Sequence, residues 1–365
     1  MRVHADGLGR TFAGPPPRRV LDRLSLELPG PGVHAVLGAN GSGKTTLLRL
    51  LALLDAPDAG ELRFDGERVA GPGGVSRAAR RRATLVFDRP TLLRGTVRWN
   101  VEFALRARGV PTAGRAARLE PWIEPLGLER ILDARVDRIS AGEARRAALA
   151  RGLALDTELL LLDEPTANLD PLSAGLVERA IAGLGARRET TVVLATHDLA
   201  QARRLAGQVH FLAEGRIAQG GEAAGVLDAP RSVALAEFLG VENLFRGTVE
   251  DRGDHQRFVA PGIDWAVIAE RTGACWAGLP ARDVLVARER PASSAMNAAA
   301  GTIDRIEERG PMVLVELTTA AEGDAGPSVR LSAAVTRATV QTMGLAPGQP
   351  AWLAWKAASV RLFDG

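Results

Sequence analysis

A glycine-rich segment of the sequence has the residue types and the spacing that bind phosphate groups. Residues 38–45 read GANGSGKT, and the apolar run 33–37 precedes them. Residues 45–54 have the length and apolarity of a helix, so the segment is expected to join a strand to a helix. Glycines let successive backbone N–H groups point at phosphate oxygens, and the helix N-terminus adds positive potential. The segment therefore predicts a site for ATP.

The last residues of this segment are expected to carry most of its chemistry. The Lys44 ammonium would reach the β- and γ-phosphates and act in catalysis, and the Thr45 hydroxyl would bind Mg²⁺. The other predicted contacts to ATP come from the loop and the first helical turn: Gly38, Asn40, Gly41, Ser42, Gly43 and Thr46.

Two carboxylates follow a continuous apolar run at residues 159–162. Asp163 is expected to hold Mg²⁺ through its water shell, because this ion keeps waters and takes few protein carboxylates. Glu164 is expected to be the general base that activates the attacking water. Such a pair also occurs at solvated strand ends, but the upstream phosphate-binding segment favours the catalytic interpretation. Alternation of apolar strands with helices around both motifs predicts a parallel sheet covered on both faces.

Three further short motifs stand in a fixed order around these two. They are residues 139–143 (ISAGE), residues 168–170 (NLD) and His197. In this order the motifs resemble those of ATP-binding-cassette (ABC) ATPases, and the resemblance covers residues 1 to about 236. It implies an α/β P-loop NTPase domain with a helical subdomain at about 89–158, which hydrolyses ATP with Mg²⁺.

The resemblance also implies that each ATP site is shared between two chains. ABC ATPases act as head-to-tail dimers with two ATPs sandwiched between the subunits. Ser140 and Gly142 of one chain would then contact the γ-phosphate bound by Lys44 of the other. Asp170 would bridge the two subunits. Hydrolysis would be possible only in the closed homodimer, with positioning and electrostatics supplying the catalysis.

Four single positions match or depart from the family pattern. Phe12 matches the aromatic residue that stacks on adenine, and His197 matches the switch histidine that contacts the γ-phosphate. Ala141 stands where the family has Gly. Asp88 stands where the family has a Gln that reaches Mg²⁺ and the water. Aspartate is shorter and charged, so it either still binds Mg²⁺ or slows turnover, and we expect active but altered hydrolysis.

The pattern changes after about residue 236. Short alternating strands with Gly and Pro turns predict an all-β region. Residues 242–247 (ENLFRG) resemble the start of the TOBE-type domain of importer ATPases. Residues 292–365 resemble the Mop domain, a small OB-like β-barrel that binds molybdate or tungstate. The expected division is a TOBE-like β linker at 237–291 and a Mop/TOBE-like domain at 292–365.

Three residues of this last domain are candidates for binding an oxyanion. A tetrahedral dianion requires hydroxyls, backbone N–H groups and a cation, which Ser294, Thr336 and Lys356 would provide. Met296 occupies a position where a basic residue is expected. A barrel kept for dimer contacts, without a ligand, is therefore an equal alternative.

The resemblance implies partners and a location as well. Residues 89–101 resemble the coupling region through which importer ATPases contact integral membrane permease subunits, and a substrate-binding protein would act indirectly. This implies a peripheral protein at the cytoplasmic side of the inner membrane. The leading hypothesis is an importer ATPase for molybdate or tungstate. The alternatives are import of another oxyanion, iron or a polyamine, and an oxyanion-sensing protein with weak ATPase activity.

Composition excludes several other classes. With 46% apolar and 24% charged residues, the chain has the composition of a globular protein. The 46 basic and 43 acidic residues leave a formal charge of only +3, and no basic run is interleaved with aromatics, so no nucleic-acid partner is expected. No run of about 18 apolar residues suggests a membrane span. One cysteine, Cys275, excludes an internal disulfide.

Overall fold

The computed structural model describes residues 1–253, 255–320 and 327–363. The chain divides into two compact units, residues 1–229 and 230–365. No helix among the described residues has the length and apolarity needed to cross a membrane.

The first unit contains two sheets and seven helices within its described residues. Its strands are β1 (Val3–Phe12), β2 (Arg18–Leu28), β3 (Gly32–Leu37), β4 (Ala59–Phe64), β5 (Glu67–Gly71), β6 (Gly74–Val75), β7 (Ala83–Val86), β8 (Leu159–Asp163), β9 (Thr191–Thr196), β10 (Gln208–Ala213) and β11 (Arg216–Glu222). Its helices are α1 (Lys44–Leu51), α2 (Val97–Ala107), α3 (Thr112–Ile123), α4 (Ala141–Leu153), α5 (Pro171–Arg187), α6 (Leu199–Leu205) and α7 (Ala223–Asp228).

The central sheet has the strand order β11-β10-β3-β9-β8-β7, and all its pairs except β10–β11 are parallel. Strands β8 and β9 are buried along their whole length, which requires both faces of the sheet to be covered. Alternate residues of β8 enter different cores: Leu159 and Leu161 face one, and Leu160 and Leu162 face the other. The predicted parallel sheet is thus confirmed.

The two faces of this sheet are covered by different elements. On one face lie α1 and a second, antiparallel sheet of order β2-β1-β4-β5-β6. On the other face lie α2, α3, α4 and α5. Helices α2 and α3 are separated by a short connection that contains Gly109 and Pro111, residues that disfavour a continuous helix.

The second unit consists mainly of two antiparallel sheets. Its strands are β12 (Asn243–Asp251), β13 (Gln256–Ala260), β14 (Ile263–Val267), β15 (Gly273–Leu279), β16 (Leu285–Ala287), β17 (Asn297–Arg309), β18 (Met312–Thr319), β19 (Arg330–Thr336), β20 (Pro350–Trp355) and β21 (Arg361–Phe363). Its helices are α8 (Val233–Phe238) and α9 (Arg337–Met343). The strand orders are β14-β13-β12-β15-β21 and β16-β20-β17-β18-β19.

The structure divides the chain differently from the sequence-based expectation. The boundary lies at 229/230 rather than 236/237, because Ala236 on α8 packs with Val241 and Phe363 of the second unit. The expected division at 291/292 does not separate two compact units. One core spans both sheets, Trp265 and Trp355 meet in it with ring centroids 5.1 Å apart, and β21 pairs with β15 of the earlier segment.

Candidate nucleotide site

The glycine-rich segment connects β3 to α1, as expected. Gly43 caps α1 with a φ of +109°, a backbone conformation that residues other than glycine rarely adopt. A Cβ atom on Gly38 would lie 2.5 Å from the Leu212 carbonyl oxygen and 2.6 Å from the Ser42 hydroxyl. Backbone packing therefore requires glycine at the start of the loop, and backbone conformation requires it at the end.

The Lys44 side chain is buried at the floor of this loop, with 7% of its surface exposed. Its ammonium donates hydrogen bonds to the carbonyl oxygens of Gly38 (2.8 Å) and Ala39 (3.2 Å) and lies 3.9 Å from the Glu164 carboxylate. Burial lowers the pKa of Lys44, and the negative charges of Glu164 and Asp163 oppose that shift. The positive charge is thus held between the loop and the end of β8.

A hydroxyl and a carboxylate meet beside this lysine. The Thr45 hydroxyl donates to Asp163 Oδ2 over 2.7 Å, although the two residues are 118 positions apart. Asp163 is only 2% exposed. Burial raises its pKa, the Thr45 hydrogen bond lowers it, and the negative charges of Asp88 and Glu164 raise it further. This pair suits a divalent cation that would restore the charge balance.

The Glu164 side chain is held by two residues at the end of β9 and just beyond it. His197 Nδ1 lies 2.8 Å from Glu164 Oε1, and the Thr196 hydroxyl lies 3.4 Å from Oε2. Glu164 has a φ of +45°, an uncommon value for a residue other than glycine. Such conformations cost of order 1–3 kcal/mol and concentrate at functional sites. This backbone directs the carboxylate towards the loop and Lys44.

These groups line one cavity of about 500 Å³. Ten of the predicted residues lie on its wall together with Arg18 and Val20: Phe12, Asn40, Gly41, Gly43, Lys44, Thr45, Thr46, Asp88, Asp163 and Glu164. Phe12 is 40% exposed, and the guanidinium of Arg10 lies 5.2 Å from its ring centroid. The cavity thus has an aromatic wall at one end and the phosphate-binding loop and carboxylates at the other.

Six predicted residues of the ATP site are not among those lining the cavity: Gly38, Ser42, His197, Ser140, Gly142 and Asp170. Ser140 is exposed and caps α4: its hydroxyl accepts from Glu143 N (3.2 Å) and donates to Glu143 Oε2 (2.9 Å). Asp170 caps α5 by accepting from Ser173 N over 2.9 Å. A Cβ atom on Gly142 would lie 3.5 Å from Ser173 Oγ, so the starts of α4 and α5 are neighbours.

Comparison with known proteins decides the family. Residues 21–167 match the model of the ABC transporter family, and residues 293–362 match the TOBE domain. A molybdenum import ATP-binding protein, ModC, from Mycobacterium tuberculosis is 35% identical over 353 residues, which cover 90% of each chain. The chain belongs to the ABC transporter ATP-binding proteins. A molybdate/tungstate import ATP-binding protein, WtpC, from Pyrococcus horikoshii is 30% identical over 332 residues, covering 90% of this chain and 91% of the relative.

A solved structure has the same fold as the ATPase domain. It is a dimeric ATP-binding cassette, MJ0796, in a post-hydrolysis state bound to ADP and Pi. Its TM-score is 0.55 at 24% identity, and the alignment covers 60% of this chain and 98% of that one. The predicted fold is thus confirmed: an ABC ATPase domain followed by a strand-rich region with a TOBE domain. As a member of this family, the chain binds and hydrolyses ATP.

Three residues near the ATP site of this ABC ATPase were not predicted from the sequence. Arg18 lines the cavity because it pairs with Phe12 at the turn end of the β1–β2 hairpin. Arg10 holds the ring of Phe12 and is itself paired with Asp58 over 2.8 Å. Arg145, on α4, donates to the Glu164 carbonyl oxygen. For Arg18, the register of β1 and β2 was the one signal that could have placed this residue at the site. Arg10 and Arg145 had no such signal.

The three predicted oxyanion residues occupy different places in the second unit. Lys356 follows β20 and Ser294 precedes β17, near the point where Asn297 pairs with Trp355. Thr336 ends β19, pairs with Met312, and uses its hydroxyl to cap α9. No hydrogen bond joins the three among the described residues. A shared oxyanion site therefore stays a prediction.

Proposed function

We propose that this protein is the ATP-hydrolysing subunit of an importer for molybdate or tungstate. The observation that carries the chemistry is the convergence of Lys44, the Thr45–Asp163 pair and Glu164 on one cavity. The substrate class is supported by the two import proteins named above, because their similarity extends over 90% of this chain and therefore includes most of the second unit.

The residues of the cavity fit Mg²⁺ bound together with ATP. Within residues 1–253, 255–320 and 327–363 no cluster of three or more His, Cys, Asp and Glu side chains could hold a metal. Mg²⁺ does not need one, since it keeps several waters and takes one or two carboxylates plus phosphates. Thr45 and Asp163 would hold the ion, with Asp88 on the same wall. When bound, Mg²⁺ neutralises charge that develops on the phosphates.

The remaining steps are assigned to side chains of this chain. Lys44 stabilises negative charge on the β- and γ-phosphates. Glu164 takes a proton from the attacking water, and His197, 2.8 Å away, fixes the orientation of the Glu164 carboxylate. Phe12 stacks on adenine, since its ring is exposed at the cavity wall.

The site is proposed to be completed by a second copy in a head-to-tail homodimer. Ser140 and Gly142 lie at the N-terminus of α4, outside the cavity of their own chain. Backbone N–H groups and the helix dipole make that end attractive to a γ-phosphate bound by the partner. Asp170 lies at the start of the neighbouring helix, where it would bridge the subunits.

Permease subunits are proposed to dock on the groove between β7, residues 87–91, α2 and α4, which has a volume of about 130 Å³. Phe87, Leu93 and Phe103 are exposed apolar side chains in this region. Arg151 on α4 donates to the Thr91 carbonyl oxygen over 2.8 Å and so ties the loop to the helix. Such docking would place the protein at the cytoplasmic side of the inner membrane, with a substrate-binding protein acting from the other side.

Calorimetry of the full chain with molybdate, tungstate and sulfate tests the substrate class. The full chain is required because residues 292–365 share their core with the preceding segment. We expect molybdate and tungstate to bind, and Lys356→Ala to weaken binding by about tenfold through loss of one charge-assisted contact. The matched control is Arg282→Ala, which removes a different exposed cation of the same unit. No binding of any of the three anions would remove the oxyanion site and leave the ATPase assignment standing.

A further inference from the structure

One arginine on α4 contacts the main chain of Glu164 in its own chain. Arg145 lies five positions after the helix cap Ser140, and its Nη1 atom donates to the Glu164 carbonyl oxygen over 2.5 Å. Its guanidinium is half-buried at the end of β8. The helix that begins at Ser140 therefore contacts the residue proposed as the general base.

This contact bears on an unusual backbone. Glu164 has a φ of +45°, and its N–H donates to the Ala195 carbonyl oxygen over 2.9 Å. Its carbonyl oxygen accepts from Ala167 N over 3.1 Å and from Arg145. Because the left-handed conformation is costly, it persists only where surrounding contacts fix it. Among the described residues, Arg145 supplies the side-chain hydrogen bond to the Glu164 main chain.

Arg145 also balances charge. Burial lowers its pKa, whereas the negative charges of Asp88, Glu164 and Asp163 raise it, with Asp88 contributing the most of the three. Lys44 is the other cation beside these carboxylates. Arg145 thus adds positive charge near the carboxylates at this end of the site.

We propose that Arg145 is a positioning residue for hydrolysis, which fixes the main chain of Glu164. The inference rests on the proposed role of Glu164 as the general base. It assigns the arginine no contact with substrate: Arg145 acts through the geometry of Glu164.

The test measures ATP hydrolysis by the full chain with Arg145→Gln and Arg145→Lys beside the parent. A charge-assisted hydrogen bond contributes enough that Arg145→Gln should lower kcat by about tenfold. KM for ATP should change less than about twofold, because Arg145 contributes no ground-state contact to ATP. Arg145→Lys, which keeps the charge, should recover part of kcat.

A second readout does not depend on turnover. Hydrogen exchange of residues 159–170 in the protein without nucleotide should speed up in Arg145→Gln, since the Ala167 amide belongs to the same turn. The control is Arg130→Gln, an exposed arginine with no hydrogen bond to another described residue. Its kcat and exchange should equal those of the parent.

An Arg145→Gln variant with kcat within twofold of the parent and unchanged hydrogen exchange overturns the inference. So does a variant that loses melting temperature and ATP affinity along with kcat, because the role is then structural only. If Glu164→Gln leaves the parent rate unchanged, the proposed base is wrong and this inference falls with it; an inactive Glu164→Gln beside an unaffected Arg145→Gln overturns this inference alone.

Discussion

Two buried histidines in the central sheet make the stability of the ATPase domain sensitive to acid. His34 on β3 and His210 on β10 stack with ring centroids 6.2 Å apart. Burial and the neighbouring His34 lower the pKa of His210 to about 4, and burial also lowers the pKa of His34. His210 Nε2 has no hydrogen-bond partner among the described atoms. Both rings are therefore held neutral in the folded protein.

The direction and size of the effect follow from linkage. An unfolded histidine gains its proton below about pH 6.5, but folded His210 gains it only near 4. The unfolded state thus binds more protons between these values, and stability that is present above pH 6.5 is lost as pH falls towards 4. For His210 alone the full loss is about 3 kcal/mol, of which about 2 kcal/mol falls between pH 7.5 and 5.0.

Thermal unfolding of the parent and of His210→Gln at pH 7.5 and 5.0 measures this loss. A change of about 2 kcal/mol corresponds to roughly 4–8 °C for a domain of this size. We expect His210→Gln to melt lower than the parent at pH 7.5, because packing is disturbed, but to lose about 4–8 °C less on acidification. The control is His4→Gln, since His4 is exposed on β1. A parent and a His210→Gln variant with equal pH dependence would refute the reasoning.

Three further predictions concern the nucleotide site. Glu164→Gln should reduce kcat by at least about 100-fold while ATP still binds, measured by phosphate release and nucleotide fluorescence; retained turnover would exclude Glu164 as the base. Glu143→Gln keeps the hydrogen bonds of the Ser140 cap but removes a negative charge from the proposed phosphate-binding end of α4, so ATP-driven dimerisation should tighten by about threefold in sedimentation; weaker dimers would contradict this. Gly38→Ala should lose nucleotide binding and about 1–3 kcal/mol of stability, because its Cβ atom would lie 2.5 Å from the Leu212 carbonyl oxygen; normal nucleotide affinity would show that the loop can shift.

The centre of the nucleotide site was predictable because its chemistry lies in contiguous motifs at strand ends. Thr45 and Asp163 are 118 positions apart, yet their hydrogen bond follows from the parallel sheet. The carboxyl ends of β3 and β8 lie at one edge, and β9 between them carries His197 to the same edge. Once the sequence indicated three buried parallel strands, the meeting of these side chains followed.

The arginines around the site were not predictable in the same way. Lys44 and Lys356 are the only lysines, so 44 of the 46 basic residues are arginine. Residue type alone therefore does not show which arginines lie near the nucleotide site. Arg18 is placed by hairpin register and Arg145 by the packing of α4 on the end of β8. Both depend on three-dimensional arrangement that no local motif encodes.

The second unit was predicted as strands, but its strand pairing was not predictable, for a related reason. Short strands with alternating small and apolar residues show that a segment is β, but not which strands share a sheet. The pairing of β21 with β15 joins residues 361–363 to residues 276–278, a contact that closes one core around Trp265 and Trp355. Sequence composition suggested two domains where long-range pairing makes one.

Helix α4 carries residues that belong to both ATP sites of the proposed dimer. Ser140 caps its N-terminus, and its hydroxyl proton is engaged by Glu143 within the chain, so a partner's phosphate must compete with that carboxylate. Arg145 follows five residues later, about 7.5 Å along the helix axis. Since an α-helix moves as a rigid element over this length, a shift that improves the contact of Ser140 with a partner's nucleotide also moves the guanidinium that holds Glu164. Binding of ATP at one site of the dimer would therefore alter the geometry of the base at the other, and the loss of this coupling in Arg145→Gln should appear as independent, non-cooperative hydrolysis at the two sites.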